Sequence, residues 1–256
     1  MVASGPLLLD GKVALITGAA KRLGKASALA LAEAGAKVAI TFLHSEKEAQ
    51  QTLRELQRIA SRNSFADSVH SLAVHCDVAD QKSVRSAIET MVRTFGGIDI
   101  LINNAGSYET VEFEQLTLEK WDAIFASNVR GPFLVSKEAL PHLRKRRGRI
   151  IHLGSLGGLR AWASHAHYCS SKAALHMLTK VMAKALAPDI AVNCVAPGMI
   201  DLSEKSAAQF MKRMATQTPM RRNGTAEDVA AAVLFFATAP HFITGQVLFV
   251  DGGLGL

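Results

Sequence analysis

The sequence predicts an α/β fold: a doubly wound parallel sheet of about seven strands with helices on both faces. Three observations predict it. Seven short apolar runs alternate with longer segments of helical period, an arrangement that calls for crossover connections and parallel pairing. A glycine-bearing turn, Gly18 to Gly24, joins the first run to the first helix. Asp77, Asn103 and Ser155 each follow an apolar run, at the strand ends where such a sheet opens its ligand crevice. With 256 residues, 49% of them hydrophobic, the chain has enough apolar material for one large domain, read here as residues 1–256.

The first strand covers residues 12–17 and leads through Gly18-Ala-Ala-Lys-Arg-Leu-Gly24 into an alanine-rich helix over 25–33. Gly18 permits a tight turn and Gly24 lets helix and strand pack closely. The free N–H groups of the helix start then suit a pyrophosphate. A second strand at 36–42 precedes a polar helix from 45 to about 62 and a loop over 63–68. The third strand, 71–76, ends at Asp77 and Val78. A helix over 83–95 precedes the strand 98–102, which runs into Asn103-Asn104-Ala105-Gly106. Residues 119–147 read as one long helix with Asn128 at its middle and a kink at Gly131-Pro132. The fifth strand, 150–153, stops at Gly154 and Ser155, and a helix over 168–184 follows. The sixth, 190–196, ends at Pro197-Gly198. Residues 199–220, with their polar run, read as a mobile lid. A helix over 225–238 and a strand over 247–250 complete the pattern.

Several function classes fall away. The net charge of +7 admits acidic partners. However, the run Arg144-Lys145-Arg146-Arg147 closes a helix, where basic side chains suit the dipole, and it lacks an interleaved aromatic platform. No nucleic-acid partner is expected. Residues 229–250 carry no Asp, Glu, Lys or Arg, but Pro240, His241, Gly245 and Gln246 divide them into a helix and a strand rather than a membrane span. Cys76, Cys169 and Cys194 have neither metal nor redox spacing, which predicts a cytoplasmic protein with reduced thiols. His165 and His167 form an H-x-H pair without a carboxylate or cysteine nearby, so they read as loop residues at the substrate mouth and no metal is expected. His75 and His152 read as core histidines.

The stretch 150–176 carries the chemistry. Tyr168 and Lys172 are four residues apart in a helix, so the phenol and ammonium project from one face. A free tyrosine, with a pKa of about 10, is a poor acid–base group at neutral pH, and a fixed cation beside it favours phenolate. Ser155, at the strand end, can bond the same substrate oxygen. A lone Tyr-x-x-x-Lys is otherwise an ordinary amphipathic helix, so its meaning depends on the rest of the chain.

In chain order, Thr17-Gly18 with Gly24, Asp77, Asn103-Asn104-Ala105-Gly106, Asn128, Ser155, Tyr168-x-x-x-Lys172 and Pro197-Gly198 resemble the short-chain dehydrogenase/reductase family, with its Rossmann-type fold, over essentially the whole chain. The resemblance implies that Tyr168 is the proton donor to a substrate carbonyl in reduction and the base in reverse. Lys172 would lower its pKa and hold the nicotinamide ribose. Ser155 would orient the carbonyl oxygen, and Asn128 would fix a water linking Lys172 to solvent. The dinucleotide would supply the hydride. By the same resemblance its site takes in Gly18, Lys21, Arg22, Leu23, Gly24, His44, Ser45, Asp77 and Val78. It continues through Asn104, Ala105, Gly106, Tyr168, Lys172, Pro197, Gly198 and Ile200.

Two departures from the family pattern are informative. Arg22, preceded by Lys21, stands where relatives have a further glycine, and a basic residue there goes with NADP(H) through its 2′-phosphate. An NAD-preferring relative would place an acid near the second strand's end, where this chain has Thr41-Phe42-Leu43-His44-Ser45. Arg22, His44 and Ser45 can donate to a phosphate, so the expected cofactor is NADP(H). Leu202 replaces a threonine that contacts the nicotinamide carboxamide, a contact that Asp201 or Ser203 could take over.

The pattern suits 3-oxoacyl-acyl-carrier-protein reductases, acting on a small-molecule carbonyl held by an acidic carrier that the positive charge would favour. The turn Gly18–Gly24, His44-Ser45 and Leu186-Ala-Pro-Asp-Ile190 also resemble pteridine reductases, and Tyr108 could stack on a flat heterocycle or pack as a rim aromatic. Ser155, where many pteridine reductases have aspartate, suits a carbonyl better. Tyr108, Ser155 and His165 are the substrate candidates. A non-catalytic NADP(H) sensor is the third reading, but binding alone needs no phenol paired with an ammonium. The resemblance further implies a homotetramer built on helices 119–147 and 168–184 and on the C-terminal strand.

Overall fold

All seven apolar runs form strands: β1 (Val13–Ile16), β2 (Lys37–Phe42), β3 (Ser71–His75), β4 (Ile100–Asn103), β5 (Arg149–Leu153), β6 (Ala191–Pro197) and β7 (Val247–Val250). The structure is a computed structural model that describes residues 7–63, 70–202 and 208–256. The strands pair in parallel in the order β3-β2-β1-β4-β5-β6-β7. Strand order reverses between β1 and β4, so a crevice opens beyond their carboxyl ends.

The central strands are buried on both faces, which is why they read as continuous apolar runs rather than alternating ones. Within β1 the two faces still separate with a period of two. Ala14 and Ile16 pack toward α1 (Arg22–Glu33), α2 (Glu46–Arg62) and α8 (Ala226–Thr238). Val13 and Leu15 pack toward α3 (Gln81–Phe95), α5 (Gly131–Lys145) and α6 (Ala166–Leu186). Ile16, Leu31, Ile40 and Leu56 on one side, and Met91, Leu101, Leu143 and Ile150 on the other, are fully buried. Each such side chain contributes about 1.5–3 kcal/mol relative to exposure. Helix starts follow local chemistry: Asp80 accepts from Ser83 N at 2.7 Å, and Thr225 and Asp228 form a reciprocal capping box.

The long helix expected over 119–147 is instead α4 (Leu118–Phe125), a π-helical turn at Ala126–Arg130 and α5. The break falls before Gly131-Pro132. Pro132 lies in the first turn of α5, where a missing N–H costs nothing. The π-turn inserts an extra residue, and Asn128 within it is 1% exposed, aimed inward rather than at solvent. Residues 229–250 divide into α8 and β7 as expected, and among the described residues no helix is long and apolar enough to cross a membrane. The basic run after α5 is tied down: Arg144 pairs with Asp189 at 3.0 Å and Arg146 with Asp99 at 2.9 Å. Within 199–220 the structure shows α7 (Ala208–Gln217). Residues 64–68 of the expected loop, Ser203 and the rest of 203–207 lie outside the described residues.

Candidate active site

A groove of about 820 Å³ lies beyond the ends of β1, β2 and β4, where the strand order reverses. Gly18, Lys21, Arg22, Leu23, Gly24, His44, Ser45, Asp77, Val78, Asn104, Ala105, Gly106, Tyr108 and Tyr168 all line it. Pro197, Gly198, Ile200 and Lys172 do not, nor do Asn128, Ser155 and His165. Pro197 is buried at the end of β6, Gly198 packs so closely on Asp251 that a Cβ would lie 2.6 Å from its Cβ, and Ile200 bridges to Gly224.

The floor of the groove is backbone held at close range. Gly18 takes φ +63°, and a Cβ on it would lie 2.8 Å from Ala105 Cα. A Cβ on Gly24 would fall on Asn104 Nδ2 and 2.7 Å from Ala19 Cα. Asn104 Nδ2 donates to Thr17 O at 2.8 Å and Gly18 O at 3.0 Å, while Thr17 Oγ1 accepts from Asn104 N and Ala105 N, both at 3.0 Å. Thr41 Oγ1 accepts from Gly18 N at 3.2 Å. These bonds clamp the β1 turn to the end of β4. The first turn of α1 has no side-chain cap and no acidic residue, so its N-terminal dipole is uncompensated by the chain. Such a cradle fits a pyrophosphate. Arg22, the first residue of α1, has φ +54°, the left-handed region that glycine occupies without strain. Asp77, after β3, lines the groove, and its Oδ1 accepts from Ala79 N at 2.9 Å.

Around the chemistry, Asn128 is fully engaged. Its Oδ1 accepts from Ser107 N at 2.7 Å and Ser127 Oγ at 3.1 Å, and its Nδ2 donates to Ser107 O and Ser171 Oγ, both at 3.0 Å. It thereby ties the segment after β4 to α6 beside Lys172. Ser155 is 6% exposed, and its Oγ accepts from Gly157 N at 3.0 Å. A hydroxyl has one donor and two acceptor sites, so its O–H remains for another oxygen. The Ser155 hydroxyl also lies close enough to the Tyr168 phenol to favour its ionised form. Lys172 donates from Nζ to Leu153 O at 2.8 Å, and that nitrogen lies 5.8 Å from the centre of the Tyr168 ring. Ser155, Tyr168 and Lys172 are therefore brought together as the spacing suggested.

Their electrostatics differ from expectation. Burial pushes the Tyr168 phenol up to about 12 rather than down, only partly offset by the nearby Ser155 hydroxyl. Burial lowers Lys172 to about 8. Desolvation outweighs the ammonium because Lys172 directs its nitrogen at a carbonyl of β5 and not at the phenol oxygen.

At the mouth, Tyr108 Oη and His165 Nε2 pair at 2.6 Å, the two rings stack with centres 5.1 Å apart, and Tyr108 meets Tyr168 edge-on at 5.0 Å. Thr110 Oγ1 also reaches His165 Nε2 at 3.1 Å. His167 is not at the mouth. α6 begins at Ala166, two residues earlier than expected, and turns that imidazole fully inward. His75 is exposed rather than packed in the core, whereas His152 is fully buried. The sequence reading passed over Thr41 and Ser171, whose hydroxyls hold Gly18 and Asn128; neither carries a motif signal beyond lying near a strand end or one helical turn from Tyr168.

Comparison with known proteins agrees with this fold. A family model described as enoyl-(acyl carrier protein) reductase matches residues 18–255. The chain is 36% identical over 248 residues to a 3-oxoacyl-[acyl-carrier-protein] reductase of Staphylococcus aureus, covering 95% of this chain and 98% of that one. It is 36% identical over 252 residues to the Synechocystis enzyme of that name, covering 96% and 98%. A mutant short-chain dehydrogenase/reductase of Serratia marcescens superposes with a TM-score of 0.89 at 35% identity, covering 98% of this chain and 100% of that one. A gluconate 5-dehydrogenase of Burkholderia cenocepacia, solved in complex with NADP and tartrate, gives 0.86 at 33% identity and 97% coverage of both.

Proposed function

The chain belongs to the short-chain dehydrogenase/reductase family, oxidoreductases of CH–OH and C=O groups, and from that premise we propose that it is an NADPH-dependent ketoreductase acting on a 3-oxoacyl thioester or a similar ketone. The observation that carries this reading is the Ser155 hydroxyl set beside the Tyr168 phenol, which lines a groove whose floor is the Gly18–Gly24 cradle. Two hydroxyls side by side suit an oxygen borne by the reacting carbon. In an enoyl thioester the oxygen sits two carbons away from the carbon that takes the hydride, so a ketone fits better than the alkene named by the family model.

The bound dinucleotide would supply the hydride. Arg22, Lys21, His44 and Ser45 line the end of the groove beyond the cradle and would hold a 2′-phosphate, a charge-assisted contact. The relative solved with NADP supports that cofactor choice. Ser155 donates to the carbonyl oxygen and stabilises the charge that develops there. Tyr168 gives its proton to that oxygen. Lys172 carries the positive charge beside the ribose position, and Asn128 fixes the Ser107 and Ser171 backbone and hydroxyl groups around it. Leu202 lines the groove, and residues 199–220, α7 included, would act as the lid.

The Tyr108–His165 stack gives the pteridine reductase reading its one support, a flat aromatic surface beside Tyr168. Self-association, expected to give a homotetramer, has support from an apolar hollow lined by Phe125, Val129, Phe133 and Leu178 between α4 and α6. The relatives' names favour an acidic acyl carrier as the vehicle of the substrate.

The test is NADPH oxidation with acetoacetyl thioesters, simple diketones, dihydropterins and crotonyl thioesters. Turnover of the acetoacetyl thioester is expected, with Tyr168→Phe lowering kcat at least 100-fold at unchanged NADPH affinity. Turnover of the dihydropterin alone would overturn the ketoreductase reading, and NADPH binding with no turnover on the whole panel would favour the sensor.

A further inference from the structure

Tyr168 and Lys172 occupy the first two positions of a stripe on α6 whose third, four residues further, is His176. The imidazole is 9% exposed and lies inside the loop that carries Ser155. A Cβ on Gly154 would fall 2.5 Å from His176 Nε2, and one on Gly158 would fall 2.5 Å from its Cε1. The chain around Ser155 therefore closes on the ring from both sides, with glycine at each closest approach. Between those glycines, Ser155 N donates to His176 Nε2 at a long 3.5 Å. Phe249 of β7 meets the far side of the ring edge-on at 5.9 Å.

We infer that His176 is the positioning residue for Ser155: its Nε2 lone pair fixes the serine backbone so that the hydroxyl, already anchored by Gly157 N, points its hydrogen at the substrate oxygen. The inference rests on the ketoreductase reading for its effect on rate, and on the structure alone for its effect on the loop. A leucine of similar bulk would fill the space without accepting the N–H. The choice of histidine therefore concerns the acceptor and not the volume. Burial, with Lys172 and Lys180 nearby on α6, holds the imidazole neutral down to about pH 4, and the Ser155 N–H selects the tautomer protonated on Nδ1, which leaves the Nε2 lone pair free to accept it. Cys194 on β6 also approaches Gly154 beside the ring, and burial pushes its thiol up to about 12, so it stays neutral too.

Three variants and one double-mutant cycle test this. His176→Leu should lower kcat for the 3-oxoacyl thioester about tenfold, with the KM for NADPH within twofold, since a small displacement of a reacting group costs rate more than binding. His176→Gln, whose Oε1 reaches about as far as Nε2, should recover most of that loss. In a Ser155→Ala background His176→Leu should change kcat less than twofold, because the group it positions is gone. Hydrogen–deuterium exchange of the peptide 153–158 should quicken in His176→Leu and not in His176→Gln. Should the leucine variant fail to fold, His176→Asn, too short to reach the amide, takes its place. Equal losses of kcat in both backgrounds, or unchanged exchange at 153–158, would overturn the inference. Should the wild-type enzyme turn over no carbonyl, the ketoreductase reading fails while the exchange measurement still decides the role of His176.

Discussion

Lowering the pH from 7 to 5 should weaken the fold by about 3 kcal/mol through two histidines. His152 is fully buried on β5, and burial followed by the nearby Lys172 ammonium pushes it down to about 3. His176 is pushed down to about 4 by burial, then Lys172 and Lys180. In the unfolded chain both take up a proton near pH 6.5, whereas in the folded protein both stay neutral until the solution is far more acidic. Between those limits the unfolded state binds more protons, so the contribution is complete above about pH 6.5 and is lost as the pH falls. Each unit below 6.5 costs about 1.4 kcal/mol per group, and His176 is discounted for its partial contact with solvent, which gives the roughly 3 kcal/mol at pH 5. Urea unfolding at fixed protein concentration, followed by circular dichroism at pH 7 and pH 5, measures it. His176→Gln keeps the acceptor but cannot titrate, and should reduce the loss to about 2 kcal/mol. A stability difference below about 1 kcal/mol between the two pH values would refute the assignment of both imidazoles as buried and neutral.

Arg22→Gly should lower kcat/KM for NADPH by ten- to 100-fold while leaving NADH unchanged, the loss of a charge-assisted phosphate contact of about 1.5–3 kcal/mol. Because residue 22 already has φ +54°, its melting temperature should not fall, and a clear drop would show that the turn depends on the arginine for its shape. Gly24→Ala drives a methyl into Asn104 and Ala19, and should cost about 1–3 kcal/mol in urea together with a weaker Kd for NADPH by fluorescence titration. Asn128→Ala removes the partner of Ser107 N and Ser107 O and one of the two bonds of Ser171 Oγ, and should destabilise by about 1–3 kcal/mol with a large fall in kcat. Burial lowers Lys172 to about 8, so its ammonium is present below that pH and lost above it. The kcat of reduction should therefore decline through pH 8, and a flat profile to pH 10 would remove the lysine charge from the mechanism.

The central strands were legible because each is buried on both faces and leaves an uninterrupted apolar run, and the groove followed because polar residues at strand ends have little structural reason to gather there. The break at Ala126–Arg130 was not legible. Helical periodicity continues through it, and the kink expected at Gly131-Pro132 marks only the start of α5 just beyond it, not the π-turn that rotates Asn128 inward. His167 was misread because nothing in Ser164-His165-Ala166 announces a helix start: His165 serves as the N-cap without a side-chain bond. His176 carried no motif and drew no attention, although its spacing from Tyr168 and Lys172 placed it on their face. The acidity of Tyr168 was misjudged for a different reason. Spacing shows that two groups share a face, but it says nothing of how deep they lie or where the ammonium turns.

That last point bears on direction. A phenol held near 12 is protonated at any working pH, which is the state an acid requires. In the proposed reduction the carbonyl oxygen would approach an alkoxide, a far stronger base than phenolate, so proton transfer from Tyr168 would run downhill even from so weak an acid. The same residue is poorly prepared to act as a base. At pH 7 about five pKa units separate it from phenolate, roughly 7 kcal/mol that alcohol oxidation would first have to recover. The Ser155 hydroxyl beside the phenol reduces that gap, and a cation held closer than the Lys172 nitrogen, now directed at Leu153 O, would reduce it further. The protein's own electrostatics therefore prepare the donor that reduction uses, and leave the base that oxidation needs to be made by whatever turns the ammonium toward the phenol oxygen.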